Sequence, residues 1–228
     1  MASIAANLQA ILDRIARAAR AAGRAPADVE LVAVSKTVAA ERVAEAYAAG
    51  QRSFGESYAQ EAVEKITKLA GLPITWHFIG PIQSNKTGVI AARFQWVHGI
   101  AREKIAQRLH AARPETLPPL DVCIQVNVSG EASKSGIEPG AEEALAASIA
   151  RLPRLRLRGL MAIPEPTADR ALQRRRFALL RSRKEALVAR GYALDTLSMG
   201  MSDDFEAAIA EGATMVRIGT AIFGPRGR

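Results

Sequence analysis

Eight short apolar runs, each separated from the next by a stretch of helical character, constrain this chain more tightly than any other feature. They are LVAVSK (31–36), RSFGE (52–56), ITWHFIG (74–80), QWVHG (95–99), DVCIQVNVS (121–129), LRLRGLMAIP (155–164), DTLSMG (195–200) and TMVRIGTAIFG (214–224). Between the second and third, Ala59, Ala62, Val63, Ile66 and Leu69 share one face of a helix. Strands alternating with crossover helices build a parallel sheet, and eight of them close most simply into a (β/α)8 barrel. The unbroken apolar character of VCIQVNV suits a strand covered by helices on its outer side. An open doubly wound sheet is the alternative, but it calls for a glycine-rich turn after the first strand, where VSKTVAAE stands instead. The eighth run is followed only by Gly224-Pro225 and a short tail, so no helix is expected after it. Ahead of the first strand, Ile4, Leu8, Ile11, Leu12 and Ile15 mark an extra N-terminal helix suited to covering that last piece of wall.

The 228 residues fit one such barrel, so 1–228 is expected to be a single domain. No run approaches the ~18 consecutive apolar residues of a membrane span. Asp13, Arg14 and Arg17 interrupt the leading helix, which is therefore expected to belong to the mature fold rather than to a targeting segment. The single Cys123 has no partner for an internal disulfide and reads as a small buried hydrophobe, with a reducing cytoplasm as the natural compartment. The net charge is +8, and of the 31 basic residues 24 are Arg, eleven of them between Arg151 and Arg190. With few aromatics and no zinc-finger spacing beside them, these are expected to form a solvated helix face rather than a specific nucleic-acid site. His77, His98 and His110 lack the spacing of metal ligands, so no metal is expected.

Function in a barrel gathers at the carboxyl ends of the strands. Lys36 directly ends the first, with its stem in apolar surroundings. Burial disfavours the ammonium form, and the neutral amine is the form that attacks an aldehyde. The loops after the seventh and eighth strands offer the hydroxyls of Ser198, Ser202 and Thr220, and Gly200 and Gly219 permit close backbone approach. Asp203 and Glu206 have the spacing of a helix capping box, which leaves the Ser202 hydroxyl free; both acids are expected to point away from a bound anion. A lysine facing a phosphate cradle suggests an aldehyde that carries a phosphate. The segment GPIQSNKT (80–87) falls one glycine short of a nucleotide-binding loop and follows the wrong strand for one. His77, near the end of the third strand, is expected to line the same pocket.

Taken together, LVAVSKT, FGESYAQE, WHFIGPIQSNK, NVSGEASKSG, GLMAIP and LSMGMSDDFEAAIAEGATMVRIGTAIFG resemble the pyridoxal phosphate homeostasis protein family, in order from residue 31 to residue 224. The resemblance implies the barrel of the alanine racemase N-terminal domain. It also implies pyridoxal 5′-phosphate held as a Schiff base on Lys36, with Ser202, Gly219 and Thr220 on the phosphate and Arg217 facing the pyridine nitrogen. Met201, in the phosphate loop, and Ser57 are placed in the same cofactor site. Ser57 is a departure, since the family usually reads FGEN there. Lys134 matches a family lysine near the mouth and is a possible transient acceptor of the aldehyde. The implied role is buffering and delivery of the cofactor, with amino acids and cofactor-accepting apo-enzymes as partners, and amino-acid balance as the outcome.

Arg217 bears on mechanism. A guanidinium has no acceptor and stays charged, so a ring nitrogen beside it must accept a hydrogen bond and remain unprotonated. Such a ring is a weak electron sink and suits amine exchange better than carbanion chemistry. No defined enzymatic turnover is therefore expected. The alternative is a small amino-acid racemase or lyase. It would need a second acid/base group opposite the first, usually from an additional domain, and Tyr58 is the one tyrosine near a strand end.

Overall fold

The computed structural model describes residues 3–130 and 135–224. Helix α1 (Ile4–Ala21) leads, and the Ser3 hydroxyl caps it by accepting from the Ala6 N–H at 3.1 Å. There follow β1 (Glu30–Val34), α2 (Ala40–Ala48), β2 (Ser53–Glu56), α3 (Ala59–Lys68), β3 (Thr75–Phe78), α4 (Thr87–Arg93), β4 (Trp96–Ile100) and α5 (Glu103–Ala112). The second half runs β5 (Leu120–Gln125), α6 (Glu142–Ala150), β6 (Leu155–Met161), α7 (Arg170–Val188), β7 (Thr196–Ser198), α8 (Phe205–Ala210), β8 (Met215–Ile218) and α9 (Thr220–Phe223). Each strand pairs in parallel with the next, and β8 returns to β1 with Glu30 opposite Met215 and Ala33 opposite Ile218, closing an eight-stranded barrel.

Alternation along the strands sorts the core into two parts. Val32, Trp96, Cys123, Met161 and Met215 meet inside the barrel. Leu31, Ala33, Phe54, Phe78, Val97 and Ile124 face outward into the layer beneath the helices. Burial on both faces explains why the strands read as continuous apolar runs. Cys123 is buried as expected, and its apolar surroundings push the thiol pKa up.

All the strands but β4 are shorter than their apolar runs. The fifth run leaves the ladder at Gln125 and the sixth at Met161, and the remainder of each turns into the loops of the mouth. The eighth run corrects the sequence reading: the strand ends at Ile218, and Thr220–Phe223 form a helical turn, so a helix does follow the last strand. A short apolar run cannot tell a strand from one buried helical turn. Side chains tie this turn down, since the Asn7 amide donates to the Ile222 carbonyl at 3.0 Å and Arg42 donates to that of Phe223 at 2.5 Å. Helix α1 packs on α8, α9 and α2, which is the covering role expected of it. Leu12 departs from the predicted apolar face and is exposed.

The arginine-rich segment is more than a solvated face. Arg174 and Arg181 both bind Glu211, Arg183 binds the buried Glu142 at 3.0 Å, and Arg158 links Asp121 to Asp195. These pairs join β6 and α7 to their neighbours and neutralise charge that the sequence alone leaves unpaired. Among the described residues no helix is long and apolar enough to cross a membrane.

Candidate functional site

A cavity of about 610 Å³ opens at the carboxyl end of the barrel. Lys36 reaches it from just beyond β1, Ser57 from beyond β2, Arg217 from β8, and Met201 and Ser202 from the β7–α8 loop. Gly219 and Thr220 enter from the start of α9. Seven of the eight residues expected at the site thus line one cavity. Val34, Ile79 and Ile163 add apolar wall, and Arg14 of α1 reaches the rim.

The turn carrying Lys36 is held from behind. Lys65 of α3 is buried and donates to the Ser35 carbonyl at 2.7 Å, to Glu56 at 2.6 Å and to Glu61 at 3.0 Å. The Ser35 hydroxyl donates to the same Glu56 oxygen at 2.6 Å, and the Thr37 N–H donates to Glu61 at 2.6 Å. Thr37 sits at φ 62°, a left-handed conformation that a β-branched residue rarely adopts. Surrounding bonds therefore enforce the turn at a local conformational cost. Burial pushes the Glu56 carboxyl pKa up, against the pull of Lys65. Sequence reasoning missed this knot. The signal was present: Lys65 lies three residues after Ala62, on the stripe that faces the barrel.

The loop after β7 differs from the expected capping box. Asp204, not Asp203, stands at the head of α8, and its Oδ1 accepts from the Met201 N–H at 2.6 Å. Glu206 turns away to Arg14 at 2.6 Å, as expected of it, whereas Asp203 lines the cavity. Gly200 has φ +94°, and a Cβ there would come within 2.7 Å of the Ala208 side chain and 2.9 Å of the Phe205 backbone. The loop needs that glycine to fold back onto α8.

Two expected residues lie below the cavity. Ser198 ends β7 facing inward and is fully buried, so its hydroxyl meets Arg217 and His98 and is not part of the cradle. His77 is likewise fully buried and stacks on Trp96 at 5.6 Å. Strand alternation puts it in the barrel interior, one layer beneath Ile79, which takes the place at the cavity wall. Burial lowers the His77 pKa to about 3 and that of His98 well below the usual range, so both rings are neutral. Burial also lowers Arg217 to about 10, which leaves it charged at neutral pH. Tyr58 is 55% exposed and does not line the cavity. In the 80–87 segment Lys86 binds Gln60 and Thr87 donates to the Ser84 carbonyl, which opens α4 without forming a phosphate loop. Among the described residues no group of His, Cys, Asp and Glu is arranged to hold a metal ion. Lys134 lies outside the described residues.

The site thus combines an amine on an enforced turn, a guanidinium from the neighbouring strand β8, and two hydroxyl-bearing loops. The family model for the alanine racemase N-terminal domain matches residues 6–227. The pyridoxal phosphate homeostasis protein of Pseudomonas aeruginosa is 64% identical over 226 residues, covering 99% of this chain and 97% of that protein. The protein of the same name from Escherichia coli is 54% identical over 232 residues, covering 99% and 98%. PipY of Synechococcus elongatus, solved with PLP bound, superposes with a TM-score of 0.85 at 35% identity, covering 97% of this chain and all of that one.

Proposed function

This chain belongs to the alanine racemase N-terminal domain family and, within it, to the pyridoxal phosphate homeostasis proteins, and from that premise we propose that it carries pyridoxal 5′-phosphate as a Schiff base on Lys36. In this reading it buffers the cofactor in the cytoplasm, hands it to apo-enzymes and sustains amino-acid balance. The observation that carries the reading is the meeting of Lys36, Arg217, Ser202 and Thr220 around one cavity. The cavity suits the cofactor's size and chemistry. At about 610 Å³ it lies within the usual range for cofactor pockets, and Gly200 lets the β7–α8 loop fold where a side chain would collide.

When bound, the cofactor supplies an aldehyde that an amine can attack. Lys36 provides that amine, on a turn kept in place by Lys65 and Glu61. Ser202, Gly219 and Thr220 would hold the phosphate with hydroxyl and backbone donors, and Met201 and Ser57 line the same cavity. Ser57 has a shorter reach than the family's asparagine, so any contact it made with the ring would be shorter in reach or bridged by water. Arg217 would donate to the ring nitrogen and so keep it unprotonated.

A racemase or lyase gains no support from Tyr58, which is exposed and off the cavity. The two readings separate in deuterated water. With L-alanine added to the loaded protein, a carrier shows spectral signs of amine exchange and little deuterium at Cα. Rapid deuteration with loss of optical purity, abolished by Tyr58→Phe, contradicts the carrier.

A further inference from the structure

A buried column of polar groups descends from Arg217 through the barrel interior, and the function proposed above leaves it unused. Arg217 donates through Nη1 to Ser198 Oγ at 2.6 Å and through Nη2 to the Ala162 carbonyl at 2.9 Å. Ser198 Oγ lies 2.7 Å from His98 Nδ1, and His98 Nε2 lies 3.0 Å from His77 Nδ1. At the opposite mouth His77 Nε2 faces Glu30 Oε1 at 4.0 Å, and Glu30 also accepts from the Ser53 hydroxyl. The serine and both imidazoles are fully buried.

Two independent constraints give this column a direction. From above, Arg217 can only donate. The Ser198 hydroxyl therefore accepts from it and has one proton of its own to place, and among the described residues His98 Nδ1 is the remaining hydrogen-bond partner. If His98 Nδ1 carried the proton instead, the hydroxyl hydrogen would be stranded without an acceptor in a dry interior. With Nδ1 accepting, a neutral His98 carries its proton on Nε2 and donates to His77 Nδ1. A neutral His77 then carries its proton on Nε2, which has no hydrogen-bond acceptor among the described residues but points toward the Glu30 carboxylate at 4.0 Å. From below, that is the arrangement Glu30 favours, because the reversed chain would aim a nitrogen lone pair at a carboxylate.

We propose that Arg217, Ser198, His98 and His77 form a one-way donor chain, in which the serine and the two histidines are positioning residues that fix the Arg217 guanidinium at the cavity wall. The chain cannot run backwards, because a charged Arg217 accepts no proton. It is a brace for the guanidinium and not a path that delivers protons to the cavity. What Arg217 meets in the cavity rests on the function proposed above; the direction of the chain does not.

Nitrogen-15 spectra of the full-length protein, with and without pyridoxal phosphate, read the ring tautomers directly. At pH 7 both His77 and His98 should be neutral with the proton on Nε2, and the Arg217 side-chain protons should be resolved and slow to exchange. A proton on Nδ1 of either ring, or a charged ring, overturns the direction in the unaltered protein. Ser198→Ala should release the Arg217 protons into fast exchange and weaken pyridoxal phosphate binding by roughly tenfold, the scale of one charge-assisted hydrogen bond. Ser198→Thr, which keeps the hydroxyl, should restore both. A folded Ser198→Ala with unchanged Arg217 dynamics overturns the bracing role. A protein that takes up no pyridoxal phosphate, yet shows these tautomers, refutes the proposed function and leaves the chain standing.

Discussion

Lys65 and Glu56 meet at 2.6 Å beneath the turn that carries Lys36, with 4% and 0% of their side chains exposed. Among the described residues Glu56 Oε2 has no hydrogen-bond partner, so Lys65 is what makes burial of that carboxylate tolerable. Removing one member of a buried pair strands the other, at about 3–5 kcal/mol. Lys65→Met should therefore lower stability by that amount in urea unfolding, and adding Glu56→Gln should recover much of it. A single substitution costing less than about 1 kcal/mol, or a double variant no better than the single, would contradict the role given to the pair. Lys36 itself was legible, because a lysine that directly ends the first strand of a barrel has only the mouth to enter. Lys65 was harder to read, since a charged residue in a helix normally signals the solvated side. Ser198 was misread for a different reason. It neighbours the phosphate loop in sequence, but the strand's two-residue alternation turns it inward to Arg217.

The loop between β7 and α8 shows how far local chemistry specifies an element. SMGMSDD announced a tight turn and a helix start, and both are present, with the head of the helix one residue later than the acids suggested. The choice of Asp204 follows from its side chain reaching back to the Met201 N–H, which no spacing rule distinguishes from a cap at Asp203. Gly200 is the fixed point of this element. Alanine there combines a forbidden φ with a Cβ 2.7 Å from Ala208, so Gly200→Ala should cost about 1–3 kcal/mol, the scale of a strained backbone residue. Paired urea titrations test this. Full stability in the variant would mean that the loop has another conformation open to it. Helix α9 was not legible, because Thr-Ala-Ile-Phe is as apolar as a strand end and its helical turn depends on contacts from α1 and α2.

At the scale of the molecule, the eight-fold alternation was enough to specify a closed barrel, and the closure of β8 on β1 bears that reading out. The ion pairs that tie the arginine-rich segment to the rest of the barrel were invisible, because their acids, Asp121, Glu142 and Glu211, lie in other segments of the chain. Global stability should also carry the mark of the interior histidines. Their folded pKa values are depressed, to about 3 for His77, so below pH ~6.5 the unfolded chain binds protons that the native protein does not. Stability is therefore lost as pH falls from that point, by up to about 1.4 kcal/mol per pH unit for each histidine. Urea midpoints measured at pH 7, 6 and 5 should fall toward acid, the two histidines outweighing the opposite pull of Glu56 and Asp204, whose carboxyl pKa values burial raises, and a midpoint rising toward acid would contradict that balance. Attachment of the cofactor turns on one atom, the amine nitrogen of Lys36. Loading the protein with pyridoxal phosphate, reducing it with borohydride and mapping the peptides by mass spectrometry asks which of the seven lysines took the cofactor. The pyridoxyl group should appear on Lys36, and Lys36→Ala should lose the yellow colour of the loaded protein. A label found chiefly on Lys86 or Lys134, with Lys36→Ala still yellow, would contradict the account.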